Sequence, residues 1–393
     1  MESFKYYSPI KFIFGNGKRK DIGNVLSGTY QRSLLVMNKG PFRTNGAYND
    51  IKQSVEQEGR TLIEMPDIDS NPRLSSARLG AQICREQKAD SIIAVGGGSA
   101  MDCAKVIAMS AVTGIDPYEY LWGSRPGLTE SLPVITVPTL AATGAEANPS
   151  AVIVNDDTKE KYYCNGAYPI VCIMDPELTQ TVPIELAIWG AMDILSHTYE
   201  YYFNGYRESE WQLRYSEAIL LATMKALEDL VKNPLDLNAR GELMWCSVMA
   251  WGGLTKIGRG EPDMACHGIE ESFSGFFDTH HGACLGVLTP RWMEIVCKEF
   301  PELFARYGRN VLGIIESDDT KASEMAVSQY KKWLKKINAP ITFFDIGEKQ
   351  YSDSDLSHVA STSCKIYGGG VGRLKRFTEK EVFELLKSGR NVY

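Results

Sequence analysis

In the first half of the chain, short apolar runs alternate with stretches of helical composition. Residues 11–14, 33–37, 61–65, 91–95 and 133–137 have the length and continuity of buried strands, and helical stretches lie near 44–58, 73–87 and 99–112. Strand and helix in alternation predict parallel βαβ units. From about Val182 the pattern changes to long helical runs at 184–202, 211–231, 237–256, 293–307 and 321–336. Pro176 and Pro183 bracket the change, and no low-complexity linker or internal repeat separates the halves. The predicted fold class is a parallel α/β domain over residues 1–180 followed by an all-α domain over 181–393.

Two segments carry candidate chemistry. The strand at 91–95 runs into Gly96-Gly97-Gly98-Ser99 and then into a helix. A glycine turn at a helix N-terminus lets the backbone approach a phosphate, and the free N–H groups and helix dipole favour its charge. This is neither the Gly-x-Gly-x-x-Gly fingerprint nor a P-loop, and a plain structural turn reads the same way. The second segment involves three of the chain's five histidines. Asp193 and His197 are an i, i+4 pair within an apolar run, so a helix projects both from one face. His267 and His281 flank a short break, with a further helix starting at His281 or Gly282. One carboxylate and up to three imidazoles suit Fe²⁺ or Zn²⁺ with a position left open. The alternative is that Asp193 caps or pairs locally and the histidines are satisfied core groups.

Composition narrows the class. With 44% hydrophobic and 23% charged residues, 393 residues are enough for two ordinary globular cores. A net charge of -7 without a basic stripe argues against a nucleic-acid partner. No apolar run reaches transmembrane length, and the first residues lack a signal-peptide core, so a cytoplasmic location without membrane attachment is expected. Nine cysteines without a Cys-x-x-Cys pair fit reduced core thiols.

The stretch from Gly96 to Lys105, Gly-Gly-Gly-Ser-Ala-Met-Asp-Cys-Ala-Lys, resembles the cofactor motif of the iron-containing (group III) alcohol dehydrogenases. Asp193, His197, His267 and His281 resemble that family's metal ligands, the segment from Pro138 to Glu146 its second nicotinamide-side loop, and Met174 to Leu178 the lead-in to its helical domain. The resemblance spans roughly residues 8 to 300, with the motifs in order. It implies a dehydroquinate synthase-like fold, with an N-terminal NAD(P)-binding domain, a helical metal domain, an active site in the cleft and a homodimer. It also implies that Asn38, Gly97, Gly98, Ser99, Thr139, Leu140, Thr143, Lys161 and Leu178 meet the cofactor. Asp102 reads as an orienting or capping group there. The bland reading of Thr139 and Thr143 is a local hydroxyl turn, and Lys159 competes with Lys161 for the cofactor lysine.

Two departures matter. Many family members carry a histidine four residues after the third ligand; here Glu271 stands there, so either His280 takes over the proton relay, with Glu271 orienting its neighbours, or His280 is a loop histidine without a role. After the second strand, Asn38-Lys-Gly-Pro41 replaces the Gly-Gly-Gly-Ser of NADP-preferring relatives, which favours NAD, with NADP kept open by Lys39. A divalent ion acidifies an alcohol and polarises a carbonyl, so the expected reaction is hydride transfer between nicotinamide and a small alcohol or aldehyde. Expected substrates are butanal-type aldehydes and, with Arg259 as an anion anchor, sulfoacetaldehyde, which would give isethionate. Trp251, Gly252, Gly253, Phe273 and Phe277 are read as a compact pocket or as core. The alternatives are a dehydroquinate synthase-like lyase and a non-catalytic metal or nucleotide sensor.

Overall fold

The computed structural model describes residues 1–44, 46–121, 130–206, 208–347 and 349–393. It divides into two compact units, an α/β unit of Tyr7–Pro183 with Leu235–Val248, and a helical unit of Met1–Tyr6, Ile184–Pro234 and Met249–Tyr393. An uninterrupted boundary near residue 180 therefore misses two exchanges. The Leu235–Val248 segment packs Gly241 on Phe14 and Trp245 edge-on to Phe12, with ring centroids 5.4 Å apart, while the N–H of Glu2 donates to the Gly258 carbonyl.

The α/β unit contains strands β1 (Lys11–Phe14), β2 (Arg32–Met37), β3 (Thr61–Glu64), β4 (Ser91–Gly96), β5 (Val134–Pro138), β6 (Ser150–Val154), β7 (Lys161–Asn165) and β8 (Pro169–Met174). Its helices are α1 (Ile22–Leu26), α2 (Ala47–Gln57), α3 (Leu74–Gln87), α4 (Gly98–Thr113) and α5 (Pro117–Leu121). Six strands form a parallel sheet in the order β1-β8-β5-β4-β2-β3, and β6 and β7 form a separate antiparallel hairpin. Period-two alternation splits the side chains between two cores. Leu34, Val36, Ile92 and Ala94 pack with α3 and α4 on one face, and Leu35, Met37, Ile93 and Val95 with α1 and α2 on the other. The hairpin and β8 lie outside the strands expected from the sequence.

Strand order places the glycine turn. From β2 the chain goes outward through α2 to β3, whereas from β4 it goes the other way through α4 to β5. Ligands of open α/β sheets bind at such a switch, beyond the carboxyl ends of the strands. Here those ends present Asn38 and Gly96.

The helical unit contains α6 (Ile184–Tyr202), α7 (Glu210–Lys232), the end of α8 (Leu237–Trp251), α9 (Ala265–Phe277), α10 (His281–Val296), α11 (Pro301–Asn310), α12 (Asp319–Lys336), α13 (Asp353–Ile366) and α14 (Glu379–Ser388). Helix α6 is buried almost all round, as a central helix must be. Two expected helical runs are broken. The one at 293–307 stops at Val296 and restarts at Pro301, which has no N–H to continue a helix. The one at 237–256 ends at Trp251, before Gly253 with φ +94°. No helix of the described residues is long and apolar enough to cross a membrane, and all nine cysteines are buried free thiols.

The hairpin is tied to α4 by a buried lysine. Lys105 donates to the Ser150 carbonyl at 2.6 Å and pairs with Asp102 at 3.4 Å, and Asp102 accepts the Val152 N–H at 3.0 Å. Substituting Lys105→Met strips these acceptors of their cation and should lower the unfolding free energy by about 2–4 kcal/mol, read by urea denaturation. Unchanged stability would show that the lysine carries no structural load.

Candidate active site

Helix α6 supplies Asp193, His197 and Glu200 at i, i+4 and i+7, one stripe on one face. Helix α9 supplies His267, Glu270 and Glu271 at i, i+3 and i+4. Helix α10 opens with His281. A Cβ on the next residue, Gly282, would stand 2.0 Å from the Trp189 carbonyl oxygen, so glycine is what lets α10 start against α6 and bring His281 to Asp193.

The four expected ligands converge. Asp193 Oδ1 lies 3.6 Å from His197 Nδ1, 3.6 Å from His267 Nε2 and 3.5 Å from His281 Nε2. Such separations exceed a hydrogen bond and match a tetrahedron edge, roughly 3.4 Å for metal–ligand bonds of about 2.1 Å. Both Asp193 oxygens, His197 Nδ1 and His267 Nε2 are buried without a hydrogen-bond partner. Among the described residues, Asp193, His197 and His267 offer ligand atoms that all lie within 4.8 Å of one another. Orphaned buried donors of this kind are costly unless an ion satisfies them, so these residues fit a divalent metal.

Two carboxylates that sequence reasoning missed hold the rings. Glu200 accepts from His267 twice, from Nδ1 at 2.8 Å and from the backbone N–H at 3.1 Å, and Glu270 pairs with His281 Nδ1. Each turns its ring so that Nε2 faces Asp193. The signal was present, since both carboxylates continue the ligand stripe in helices whose neighbouring positions are buried.

Electrostatics follow from this packing. Burial works against the charge of Asp193, yet the three imidazoles hold its carboxyl well below the usual range. Burial, which Asp193 does not offset, pushes His197 down to about 3. His267 and His281 go the other way: burial opposes their charge, but Glu200 and Asp193 raise the first well above its ordinary value, and Glu270 and Asp193 raise the second to about 9.

The second assembly lies in the α/β unit. Gly96 and Pro138 are register partners at the ends of β4 and β5, which sets the glycine turn beside the 139–144 loop. Thr139 donates its N–H to the Gly96 carbonyl at 2.9 Å, and its buried hydroxyl has no partner among the described residues. A Cβ on Gly98 would reach within 2.5 Å of Thr143 Oγ1, and one on Gly97 within 3.9 Å of Leu140. Helix α4 begins at Gly98, so its first N–H groups open onto the turn. The cradle of small residues, helix N-terminus and orphaned hydroxyl suits a pyrophosphate.

Residues 9–176 match the family described as Iron-containing alcohol dehydrogenase, and residues 187–389 match Fe-containing alcohol dehydrogenase family, C-terminal. The chain belongs to the iron-containing alcohol dehydrogenase family. It is 32% identical over 391 residues to NADH-dependent butanol dehydrogenase A of Clostridium acetobutylicum, covering 98% of this chain and 99% of that one. NADPH-dependent aldehyde reductase of Escherichia coli is 28% identical over 88% of this chain and 90% of its own. A crystal structure of NADH-dependent butanol dehydrogenase A from Thermotoga maritima superposes with a TM-score of 0.93 at 31% identity, over 100% of this chain and 99% of that one. The family is one of oxidoreductases, which sets aside the lyase and sensor readings.

Within this iron-containing alcohol dehydrogenase fold, several residues expected at the cofactor also make contacts inside the protein. Asn38 Oδ1 accepts the Gly97 N–H at 3.0 Å and its amide donates to the Asp69 carbonyl, so the side chain braces the turn. Ser99 donates its hydroxyl to the Ser70 carbonyl, and Thr143 Oγ1 accepts the Ala145 N–H at 3.1 Å, closing the local hydroxyl turn. Asp102 is turned to the hairpin, Lys161 is buried at the start of β7, and Leu178 packs in the core with Ile22 and Val171. Lys159 donates to the Asp156 carbonyl within its own turn.

In the helical unit, Arg259 is 1% exposed and donates to the carbonyls of Tyr201, Tyr202 and Glu208 and to Asn204 Oδ1. It closes the end of α6, so the anion anchor expected for sulfoacetaldehyde is absent at that residue. Phe273 is buried and stacks on Phe343, and the partly buried Phe277 packs on Tyr351. Trp251 stacks over His197 with ring centroids 4.6 Å apart. Glu271 accepts from the Tyr367 hydroxyl at 3.1 Å, and His280, at the N-cap of α10, rests its ring on Trp189.

Two outcomes follow for the metal centre. Replacing Glu270→Gln should weaken Zn²⁺ affinity of the metal-free protein by about 10–100-fold in chelator competition, because His281 loses the acceptor that orients it; wild-type affinity would contradict the assignment. His281 must also release a proton to bind an ion. Its folded pKa is raised from 6.5 to about 9, so the imidazolium stabilises the metal-free fold below 6.5 and that contribution is lost as pH climbs to about 9. Metal affinity should rise across the same window, and a flat profile would refute the coupling.

Proposed function

We propose that this chain is a metal-dependent, NADH-linked alcohol dehydrogenase that reduces small linear aldehydes of the butanal type. The observation that carries the reading is that His197, His267 and His281 each place a ring nitrogen 3.5–3.6 Å from the buried Asp193 Oδ1, which has no hydrogen-bond partner among the described residues. A divalent ion held there would polarise the carbonyl of an aldehyde and stabilise the oxygen charge that develops as hydride arrives. The protein residues hold its donors in place: Glu200 and Glu270 fix two rings, and Trp251 packs against a third. Gly97, Gly98, Ser99 and Thr139 would seat the dinucleotide, whose nicotinamide carries the hydride. The butanol dehydrogenase relatives named above support the substrate class.

NADH preference rests on charge at the end of β2. Lys39, which could have met a 2′-phosphate, is paired with Asp69 at 2.6 Å, and that carboxylate would face the added phosphate. The ratio of kcat/KM for NADH over NADPH should exceed one and fall on Asp69→Ala; an NADPH preference in the wild type would overturn this assignment.

We assign the proton delivered to the product oxygen to His280, a partly exposed imidazole adjacent to His281. Glu271, held by Tyr367, orients groups nearby and is no fifth ligand. Mixing protein, metal, NADH and butanal should consume NADH in step with aldehyde. His267→Ala should lose activity by orders of magnitude while still binding NADH, and His280→Ala should flatten the pH dependence of reduction. Full turnover by metal-stripped His267→Ala would end the proposal.

A further inference from the structure

Helix α8 lies nearly a hundred residues beyond the 139–144 loop, and its Leu235–Val248 segment belongs to the α/β unit. Arg240, 3% exposed, donates to the carbonyls of Thr179 and Val182, closing the turn that carries Leu178. One residue before the segment ends, Ser247 is completely buried and its hydroxyl accepts the Gly144 N–H at 3.0 Å. The same hydroxyl donates to Glu146 Oε1 at 3.5 Å.

The fit leaves no room to shift. Gly144 has φ +63°, and a Cβ there would stand 2.5 Å from the Ser247 carbonyl oxygen, so loop and helix backbones are in direct contact. From the opposite side, Thr143 meets the backbone of Gly98, where a Cβ would come within 2.5 Å of the Thr143 hydroxyl. Asn148 ties the loop's far end by donating to the Gly144 carbonyl at 2.7 Å. The loop is thus clamped between the glycine turn in front and α8 behind, and Ser247 supplies the polar contact on the α8 side.

We propose that Ser247 is a positioning residue for the dinucleotide: its hydroxyl fixes the height of the 139–144 loop over the glycine turn and thereby sets the affinity for NADH. The inference rests on the reading that this loop meets the cofactor. The side-chain hydrogen bonds of Ser247 go to Gly144 and Glu146 of this loop region, so its effect falls on nucleotide binding and not on the chemical step.

The test compares NADH dissociation constants by nucleotide fluorescence with steady-state kinetics of the metal-loaded enzyme. Ser247→Ala leaves the Gly144 N–H without its acceptor and should weaken NADH binding by about 5–30-fold. Its kcat at saturating NADH, its KM for butanal and its metal content should stay at wild-type values. Ser247→Thr, which keeps the hydroxyl, should recover affinity. Gly144→Ala, which pushes the loop away from the helix, should reproduce the loss and decides the question if Ser247→Ala fails to fold. Wild-type NADH affinity in Ser247→Ala, or a loss confined to kcat, would overturn the inference while leaving the cofactor reading intact. A wild-type protein that does not bind NADH would overturn that reading and this one together.

Discussion

A buried carboxylate with no hydrogen bond of its own governs the helical unit. Asp193 is fully enclosed, both of its oxygens lack a hydrogen-bond partner, and three imidazole nitrogens stand 3.5–3.6 Å from one of them. Such a group is tolerated in a protein interior only if charge of the opposite sign meets it. Much of the unit's construction reads as a consequence. Helix α6 is buried so that Asp193 and His197 are shielded, α10 carries a glycine directly after His281 so that this histidine can reach them, and Glu200 and Glu270 stand behind two of the rings. The charges add to a site poised for a cation: neighbouring carboxylates raise the proton affinity of His267 and His281, so an ion binding there competes with protons.

The α/β unit solves a different problem, that of bringing backbone close to a ligand. The parallel sheet reverses its winding between β2 and β4, which leaves a crevice at their carboxyl ends, and glycines let neighbouring loops touch without side chains between them. Gly96 packs on Asn38, Gly98 on Thr143 and Gly144 on α8. A Cβ at any of the three would collide, so the seat depends on absent side chains as much as on present ones.

How far the sequence could be read follows from this division. Alternating apolar runs revealed the parallel sheet, and the i, i+4 spacing of Asp193 and His197 revealed the ligand stripe, because both are local periodicities. Glu200 and Glu270 continue the ligand stripes of their helices, yet their part as ring-holders was missed because a carboxylate on a helix is usually solvated, and only the fold shows which histidine each one backs. Arg259 misled for the converse reason: Gly258-Arg-Gly260 looks like an exposed loop, whereas the guanidinium is buried against the carbonyls that end α6. Asn38, Ser99 and Leu178 were assigned to the cofactor by resemblance; that their side chains also engage Gly97, Ser70 and the core could not be read from the sequence, because those contacts are made across long stretches of chain. The place of Leu235–Val248 in the α/β unit was equally hidden, since its helical periodicity says nothing of which core it joins.

The account stands on the claim that Asp193 and three histidines surround one ion. Anomalous scattering from crystals of the Zn²⁺-loaded protein tests it directly. The expected result is a single peak per chain, about 2.0–2.2 Å from an Asp193 oxygen and from one nitrogen each of His197, His267 and His281. A peak elsewhere, or none with Asp193 hydrogen-bonded directly to the imidazoles, would contradict it.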